Sequence, residues 1–425
     1  MGSVLRATSN ALSLAGVNER PTDSDVVIVG GGPAGSAAAI VLARAGRQVT
    51  IIDKATFPRD KCCGDGLTTL ALRELEHLDF KIDDVPSFTV VPSALLRSPR
   101  GREVEVPLPE NGLYAAVATR LDLDSALLRQ ARAAGAHIHE ACSLASATCV
   151  DGGVEIALDD GESIRAKHLI AADGMWSATR RSLGLTPNGY RGEWHAFRQY
   201  AEGVSGPAAT QLIVWFEKDL LPGYAWSFPL PDGRVNIGFG VVRDGSLHGA
   251  DMAQLWRDLL DRPHIANALG SNYKLVDRHT AWPIPARIDE MTLSHGSVLF
   301  VGDAAAATDV LTGEGIGQAL LTGRLAAEAL LSDQSAHEIA RRYEHSVRDE
   351  LFADHRMSQR LGKVLKSPLG AELAIRTVGR SGSWGRRNFA RWMFEDEPRA
   401  IAVTPRRWHR RLFAQPGAWA STPRS

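Results

Sequence analysis

A chain of 425 residues, 44% hydrophobic and 23% charged, can bury a large core and reads as a globular protein of two or three domains. Its 48 Lys and Arg against 49 Asp and Glu leave a formal charge of −1, so nothing in the balance calls for nucleic acid. Four cysteines are too few for a disulfide framework and thirteen histidines form no ligand cluster, so no metal is expected and a reducing, cytoplasmic setting fits.

Residues 1–24 lack a sustained apolar run and read as a flexible lead-in. No stretch of about 18 apolar residues predicts a membrane span. From Asp25 the pattern sharpens: a β-branched strand over 25–30, an Ala-rich helix over 32–46 and a second strand over 48–53 make a βαβ unit. A helix is predicted over 64–78, short antiparallel strands over 85–120, and an amphipathic helix over 120–135. Residues 137–174 read as strands joined by Asp-Gly turns, and 190–290 as β-rich with Trp and Phe interleaved. Residues 296–305 return to a buried strand, and from Gly313 the chain is mainly helical. The fold class is therefore α/β. A Rossmann-like nucleotide lobe (25–84, 121–184, 291–335) carries an inserted β-rich lobe (85–120, 185–290), followed by a helical C-terminal region (336–425).

Gly30-Gly31-Gly32-Pro33-Ala34-Gly35 gives GxGxxG between a strand and a helix. Gly30 allows the tight turn, Gly32 lets a pyrophosphate approach the backbone, Gly35 lets the helix pack on the strand, and the helix N-terminus faces the phosphates. Asp53 ends the second strand, placed to accept from a ribose hydroxyl. This unit alone does not separate NAD from FAD; two later segments do. "LIAADGMWSATRR" (169–181) ends a strand with Asp173-Gly174, and "LFVGDAAAATDVLTGEGIGQAL" (299–320) ends one with Gly302-Asp303 before a glycine-rich loop. Asp303 can bind a ribitol hydroxyl. The Gly313–Gly315 backbone and the helix opening at Ile316 suit the electron-rich edge of a reduced flavin.

This triple pattern resembles the two-domain FAD monooxygenase and reductase superfamily over most of residues 25–335. The resemblance implies FAD, with Asp173 near it and Arg120 in "TRLDLDSAL" as a cofactor contact; a plain helix-start arginine is the other reading. "FPRDKCCGDGL" (57–67) and "LLPGYAWSFPLPDGRVNIGFG" (220–240) are similar to the geranylgeranyl reductase family, which carries K-x-C-G-D-G-L, G-Y-x-W-x-F-P and N-[IV]-G. Cys63 stands at the family position, as a thiol that positions substrate or donates a proton, or as a small buried hydrophobe. Cys62 reads as packing. Tyr224, Trp226 and Phe228 alternate on a strand and share a face, either an aromatic wall of a substrate tunnel or a sheet packing on its own core. Relatives often have Asn-Pro before T-G-E-G-I; here Asp309-Val310-Leu311 precedes Thr312, which predicts a less rigid loop.

The expected activity is FAD-dependent reduction of C=C bonds in a prenyl or polyprenyl lipid or quinone tail, with Cys63, Asp65 and Tyr224 as catalytic candidates. A flavin monooxygenase or halogenase acting on an aromatic or polyketide substrate is the alternative. With no second GxGxxG, electrons come from NAD(P)H docked transiently or from a separate reductase or ferredoxin. "GRRNFARWMFEDEP" (385–398) and "TPRRWHRRLF" (404–413) mix Arg with Trp and Phe. They read as an interfacial anchor at the inner face of a membrane, or as helices packing aromatics inward with solvated arginines.

Overall fold

The computed structural model describes residues 23–243, 249–408 and 414–420. β1 (Asp23–Val29), α1 (Pro33–Arg44) and β2 (Val49–Ile52) form the opening unit. β1 and β2 pair in parallel from Val26 opposite Val49 to Val29 opposite Ile52. Every residue of β2 is buried, as a parallel strand covered on both faces requires. Pro33 starts α1, where its missing N–H leaves no bond unmade.

The helix predicted over 64–78 is shorter. β3 occupies Gly66–Leu67, and α2 runs only from Thr69 to His77. Asp65 takes φ +63°, a left-handed backbone incompatible with a continuing helix. β4 (Thr89–Val90), β5 (Ser93–Arg97), β6 (Glu103–Pro107) and β7 (Ala116–Val117) follow, then α3 (Arg120–Ala133), which Thr119 caps by accepting from the Asp122 amide. β8 (His137–His139), β9 (Leu144–Val150), β10 (Gly153–Leu158), β11 (Ser163–Ala171) and the short α4 (Ala178–Ser182) come next.

The β-rich stretch holds β12 (Trp194–Glu202), β13 (Leu212–Trp215), β14 (Tyr224–Pro229), β15 (Val235–Val242) and β16 (Lys274–Ile284). Two helices interrupt it, α5 (Gly249–Leu260) and α6 (Pro263–Leu269). Trp256 of α5 packs on Phe197 and Phe239, covering one face of that sheet. β17 (Ser294–His295), β18 (Val298–Phe300) and α7 (Ile316–Leu330) return to the first unit. α8 (Ala336–Val347), α9 (Ala353–Leu365), α10 (Pro368–Arg380) and α11 (Gly382–Met393) make the C-terminal part helical.

One sheet has eight strands in the path β17-β18-β11-β1-β2-β8, with β10 and β9 branching from β11. Its centre, β18-β11-β1-β2-β8, is wholly parallel. A second has seven strands ordered β16-β12-β15-β14-β13-β5-β6. The expectation of antiparallel pairing over 85–120 fails at one seam, where β5 runs parallel to β13 because the long connection between them is a crossover. A small antiparallel sheet, β3-β7-β4, lies beside them. No helix among the described residues is long and apolar enough to cross a membrane.

Candidate active site

The carboxyl ends of β1, β2, β11 and β18 open onto a cavity of about 1140 Å³ whose opposite wall is the face of β13, β14 and β15. Open α/β sheets bind their ligands at such strand ends.

At the first end, Gly30 has φ +109°, and a Cβ there would fall 2.3 Å from the Ala172 carbonyl oxygen. A Cβ at Gly35 would meet Gly30 O at 1.9 Å, so this glycine seats α1 on the turn and is not part of the cavity wall. Gly32 faces open space, its nearest neighbours being Arg59 Nη2 at 3.6 Å and Arg120 Nη2 at 4.0 Å from a built Cβ. Both guanidiniums lean on one buried carboxylate. Arg120 donates to Asp124 through Nε and Nη2 at 2.7 Å each, and Arg59 Nη1 lies 3.0 Å from Asp124 Oδ2. Burial acts to lower the pKa of Arg120, but Asp124 outweighs it, so the net shift is upward and the cation is secure. Asp53 accepts from the Gly31 amide at 2.7 Å and from the Ala55 amide at 2.8 Å, which locks it at the end of β2.

Asp173 accepts from the Thr179 amide through one oxygen, while the other is buried with no hydrogen-bond partner. Lys61 donates to Asp303 at 3.0 Å; burial pushes that carboxyl up, but Lys61 more than offsets it and holds the pKa below the ordinary range. Arg180 is a brace. Its guanidinium lies 4.0 Å over the Phe300 ring and donates to the carbonyls of Ala304 and Thr292. An open glycine turn beside two cations, an orphaned acceptor at Asp173 and carboxylates at two strand ends fit a diphosphate flanked by hydroxyl-bearing groups, as FAD carries.

The loop before α7 is better held than its missing proline suggested. Asp309 Oδ1 accepts from the Leu311 amide, the Thr312 amide and the Thr312 hydroxyl at 3.0, 2.8 and 2.9 Å. Its Oδ2 accepts from Ser358 at 2.8 Å and from Arg399 at 3.3 Å. A carboxylate gripping the turn replaces the rigidity of a proline ring, and the expectation of a loose loop is corrected. The α7 N-terminus is also not free as expected. Glu314 Oε1 accepts from the Ile316 amide at 2.9 Å and from the Gly317 amide at 3.4 Å. Burial, reinforced by the charge of nearby Glu395, pushes the Glu314 carboxyl up to about 8. Glu395 sits at φ +59° and accepts from Thr68 and Gln318, each at 2.9 Å; burial raises it as well, against the pull of Arg399.

At the other end, the two distant motifs meet on Asn236. Its Nδ2 donates to Cys63 O at 2.9 Å and to Asp65 Oδ2 at 2.7 Å, while its Oδ1 accepts from Trp226 Nε1 at 3.0 Å. Tyr200 donates to Asp65 Oδ2 at 2.6 Å, and Arg198 donates to the carbonyls of Cys63 and Lys61. Asp65 is therefore spent on the wall's scaffold and does not line the cavity. Burial lifts its pKa to about 6 against the pull of Tyr200, Arg198 and Asn236. A Cβ at Gly66 would lie 3.1 Å from the Phe228 ring, and one at Gly238 would lie 2.6 Å from Trp226, so both rings need a glycine beside them.

Cys63, Tyr224, Trp226 and Phe228 all line the cavity. Burial pushes the Cys63 thiol up to about 12 despite Arg120, so it stays protonated. Burial also raises Cys62, whose Sγ lies 3.6 Å from Thr280 O. Tyr224 donates to the Thr312 carbonyl, tying the aromatic wall to the loop before α7; burial raises its pKa too. Ala34, Asp53, Arg120, Asp173, Asp303, Gly313, Gly315 and Ile316 line the same cavity.

Sequence reasoning passed over the roles of Arg59, Lys61, Asn236, Glu314, Glu395 and Arg399. Lys61 and Asn236 stood inside the quoted motifs, but nothing in the chain announced their partners. Arg399 had no signal at all. The C-terminal segment is mixed: Phe389, Trp392 and Phe394 are partly buried while Trp408 is exposed, and Arg391 and Arg399 are not solvated but buried, in contact with Asp396 and with Asp309 and Glu395. Residues 409–413 of the second Arg-rich stretch lie outside the described residues.

The profile of the family described as FAD binding domain matches residues 23–331. A menaquinone reductase of Mycobacterium tuberculosis is 35% identical over 373 residues, covering 81% of this chain and 85% of its own length. A digeranylgeranylglycerophospholipid reductase of Methanopyrus kandleri is 33% identical over 361 residues, covering 82% and 88%. The crystal structure of a geranylgeranyl bacteriochlorophyll reductase-like protein from Thermoplasma acidophilum superposes with a TM-score of 0.75 at 22% identity, over 91% of this chain and 99% of that one.

Proposed function

The chain belongs to the geranylgeranyl reductase family of FAD-dependent oxidoreductases, and from that premise we propose that it saturates C=C bonds of a prenyl or polyprenyl chain. One observation carries the reading. Asn236 joins the Cys63–Asp65 turn to Trp226, so an apolar aromatic wall faces the glycine cradle across a single cavity. Relatives named for isoprenoid substrates support it. In this reading the two larger sheets are the cores of a cofactor lobe and a substrate lobe.

When bound, FAD supplies hydride chemistry. Gly30, Gly32, Asp53, Arg59, Arg120, Asp173 and Asp303 would hold it. The chain's own contribution is orientation and dryness. An isolated alkene is a poor acceptor, so Tyr224, Trp226 and Phe228 must align it closely and exclude water. A proton must reach the second carbon. Cys63 keeps one on the cavity face at neutral pH, whereas the Tyr224 proton is committed to Thr312 O. Asp65 acts as a positioning residue through Asn236 and Tyr200. Electrons come from NAD(P)H or from a separate reductase or ferredoxin, and the lipid substrate brings the chain to a membrane surface peripherally.

The test is anaerobic. Reduced protein is mixed with a panel of prenyl lipids while flavin absorbance and product mass are followed. Reoxidation with a gain of two hydrogens on one lipid is expected. A flavin that stays reduced until air enters would sink the reading in favour of an oxygenase on an aromatic substrate. In the same assay Cys63→Ala should slow lipid-driven reoxidation by on the order of 10²-fold without changing FAD content. Cys63→Ser should recover part of the rate, and an unchanged rate in both variants would remove the thiol from the mechanism.

A further inference from the structure

The apolar end of the cavity is closed by α9, α10 and α11, through Leu361, Val364, Leu365, Ile375, Phe389 and Met393. Val364 lines the cavity and is also 56% exposed, so it sits on the rim of an opening. On the two helices that follow, Leu369 is 56%, Leu373 49% and Trp384 73% exposed, and α10 packs on both α9 and α11. α10 explains the arrangement. Ala371, Ile375 and Val378 turn one stripe inward, and the opposite stripe carries Leu369, Leu373, Arg376 and Arg380 into solvent.

Charge along these helices is nearly all of one sign. Between residues 360 and 387 stand Arg360, Lys363, Lys366, Arg376, Arg380, Arg386 and Arg387, against a single acid, Glu372. Glu372 is buried and turned toward Arg100 and Arg102. Among the described residues none of those seven cations has a carboxylate within ion-pair distance. The whole chain is nearly neutral, so this concentration is local.

We infer that the exposed face of the α9–α10–α11 corner docks on a lipid bilayer bearing anionic headgroups, with Leu369, Leu373 and Trp384 inserted and the basic residues against the headgroups, so that a prenyl chain enters at Val364 without crossing water. Exposed apolar side chains rimmed by cations suit the interface between headgroups and acyl chains, where long basic side chains reach the phosphates. Continuity with the cavity selects a bilayer over a protein partner: a protein would cap the opening, whereas a bilayer both covers the patch and supplies the ligand. The surface shares only Arg386 and Arg387 of its cations with the segment expected from residues 385–413, since Arg391 and Arg399 are buried. The inference rests on the substrate being a lipid.

The experiment is co-sedimentation of the FAD-loaded full chain with vesicles of phosphatidylcholine alone or mixed with phosphatidylglycerol. Binding to the anionic vesicles is expected, with little to the zwitterionic ones. The triple change Lys363→Glu, Lys366→Glu, Arg376→Glu should lower the partition coefficient on the order of a hundredfold. The triple change Leu369→Ser, Leu373→Ser, Trp384→Ser should lower it at least roughly tenfold at unchanged charge. Both variants should keep FAD, unfold at the wild-type temperature and reduce detergent-dispersed prenyl lipid normally, while failing on lipid presented in vesicles. A wild type that ignores anionic vesicles overturns the inference, as do variants that bind like the wild type. If vesicle binding follows the variants as stated while no prenyl lipid in any form reoxidises the flavin, the docking surface stands and the substrate reading falls.

Discussion

Asp65→Ala should lose roughly 3–8 kcal/mol of unfolding free energy and most of the lipid-driven reoxidation, although this side chain does not touch the cavity. Its carboxylate accepts from Tyr200 at 2.6 Å, from Asn236 at 2.7 Å and from the Arg120 amide at 3.3 Å. Removing it strands a buried hydroxyl and a buried amide, each costing about 1–3 kcal/mol. It also leaves Ala at φ +63°, which adds about 1–2 kcal/mol. Asn236 would then hold Cys63 O and Trp226 without its third anchor, so the aromatic wall and the thiol turn lose their register. Asp65→Asn tolerates the same backbone and keeps the volume, and should retain part of both properties. Thermal and urea unfolding, with flavin fluorescence as a second probe, read the stability. An alanine variant within about 1 kcal/mol of wild type, turning over normally, would show that the wall does not depend on this network.

Glu314→Gln should do the opposite and stabilise the protein at alkaline pH. In the folded chain burial and Glu395 keep the Glu314 proton on up to about 8, against an ordinary value of 4.5. Between those two values the folded state binds more protons than the unfolded one, so unfolding free energy falls as pH rises, and the loss is complete above the folded pKa. Glutamine keeps an acceptor for the Ile316 amide but never ionises. The variant should match wild type near pH 4 and exceed it by a few kcal/mol near pH 9. FAD affinity gives an independent readout. Ionised Glu314 occupies the amides at the start of α7 and opposes an anionic ligand, so wild-type affinity should fall as pH rises through about 8, and that of the variant should stay flat. Parallel pH profiles for the two proteins would place the Glu314 proton elsewhere.

The elements that were legible in sequence are those whose cause is local. The β-branched run over 25–30, the glycine turn and the Ala-rich helix each state their own backbone needs, and a parallel βαβ unit follows from them. Alternation was enough to send Tyr224, Trp226 and Phe228 to one wall, because a strand's period is two. The Cys63–Leu67 turn failed as a helix since its decisive feature, the left-handed Asp65, depends on Tyr200 and Asn236 holding the carboxylate. The loop at Asp309 looked slack because its grip lies in Ser358 on α9 and in Arg399 beyond α11. Arg391 and Arg399 read as solvated for the same reason, their carboxylate partners Asp396, Asp309 and Glu395 being brought to them by packing.

By itself, then, the sequence determined the cofactor turn, the order of the parallel strands' motifs, the aromatic alternation and the family, all of which rest on short spacing and the conformational preferences of single residues. Only the tertiary structure decided that Asn236 closes on Cys63 across 173 positions, that Lys61 guards Asp303 across 242, and that basic helices frame the apolar mouth. Those choices are made where buried polar groups must find partners and apolar faces must find cover, and in a folded chain the nearest partner in space is seldom the nearest in sequence.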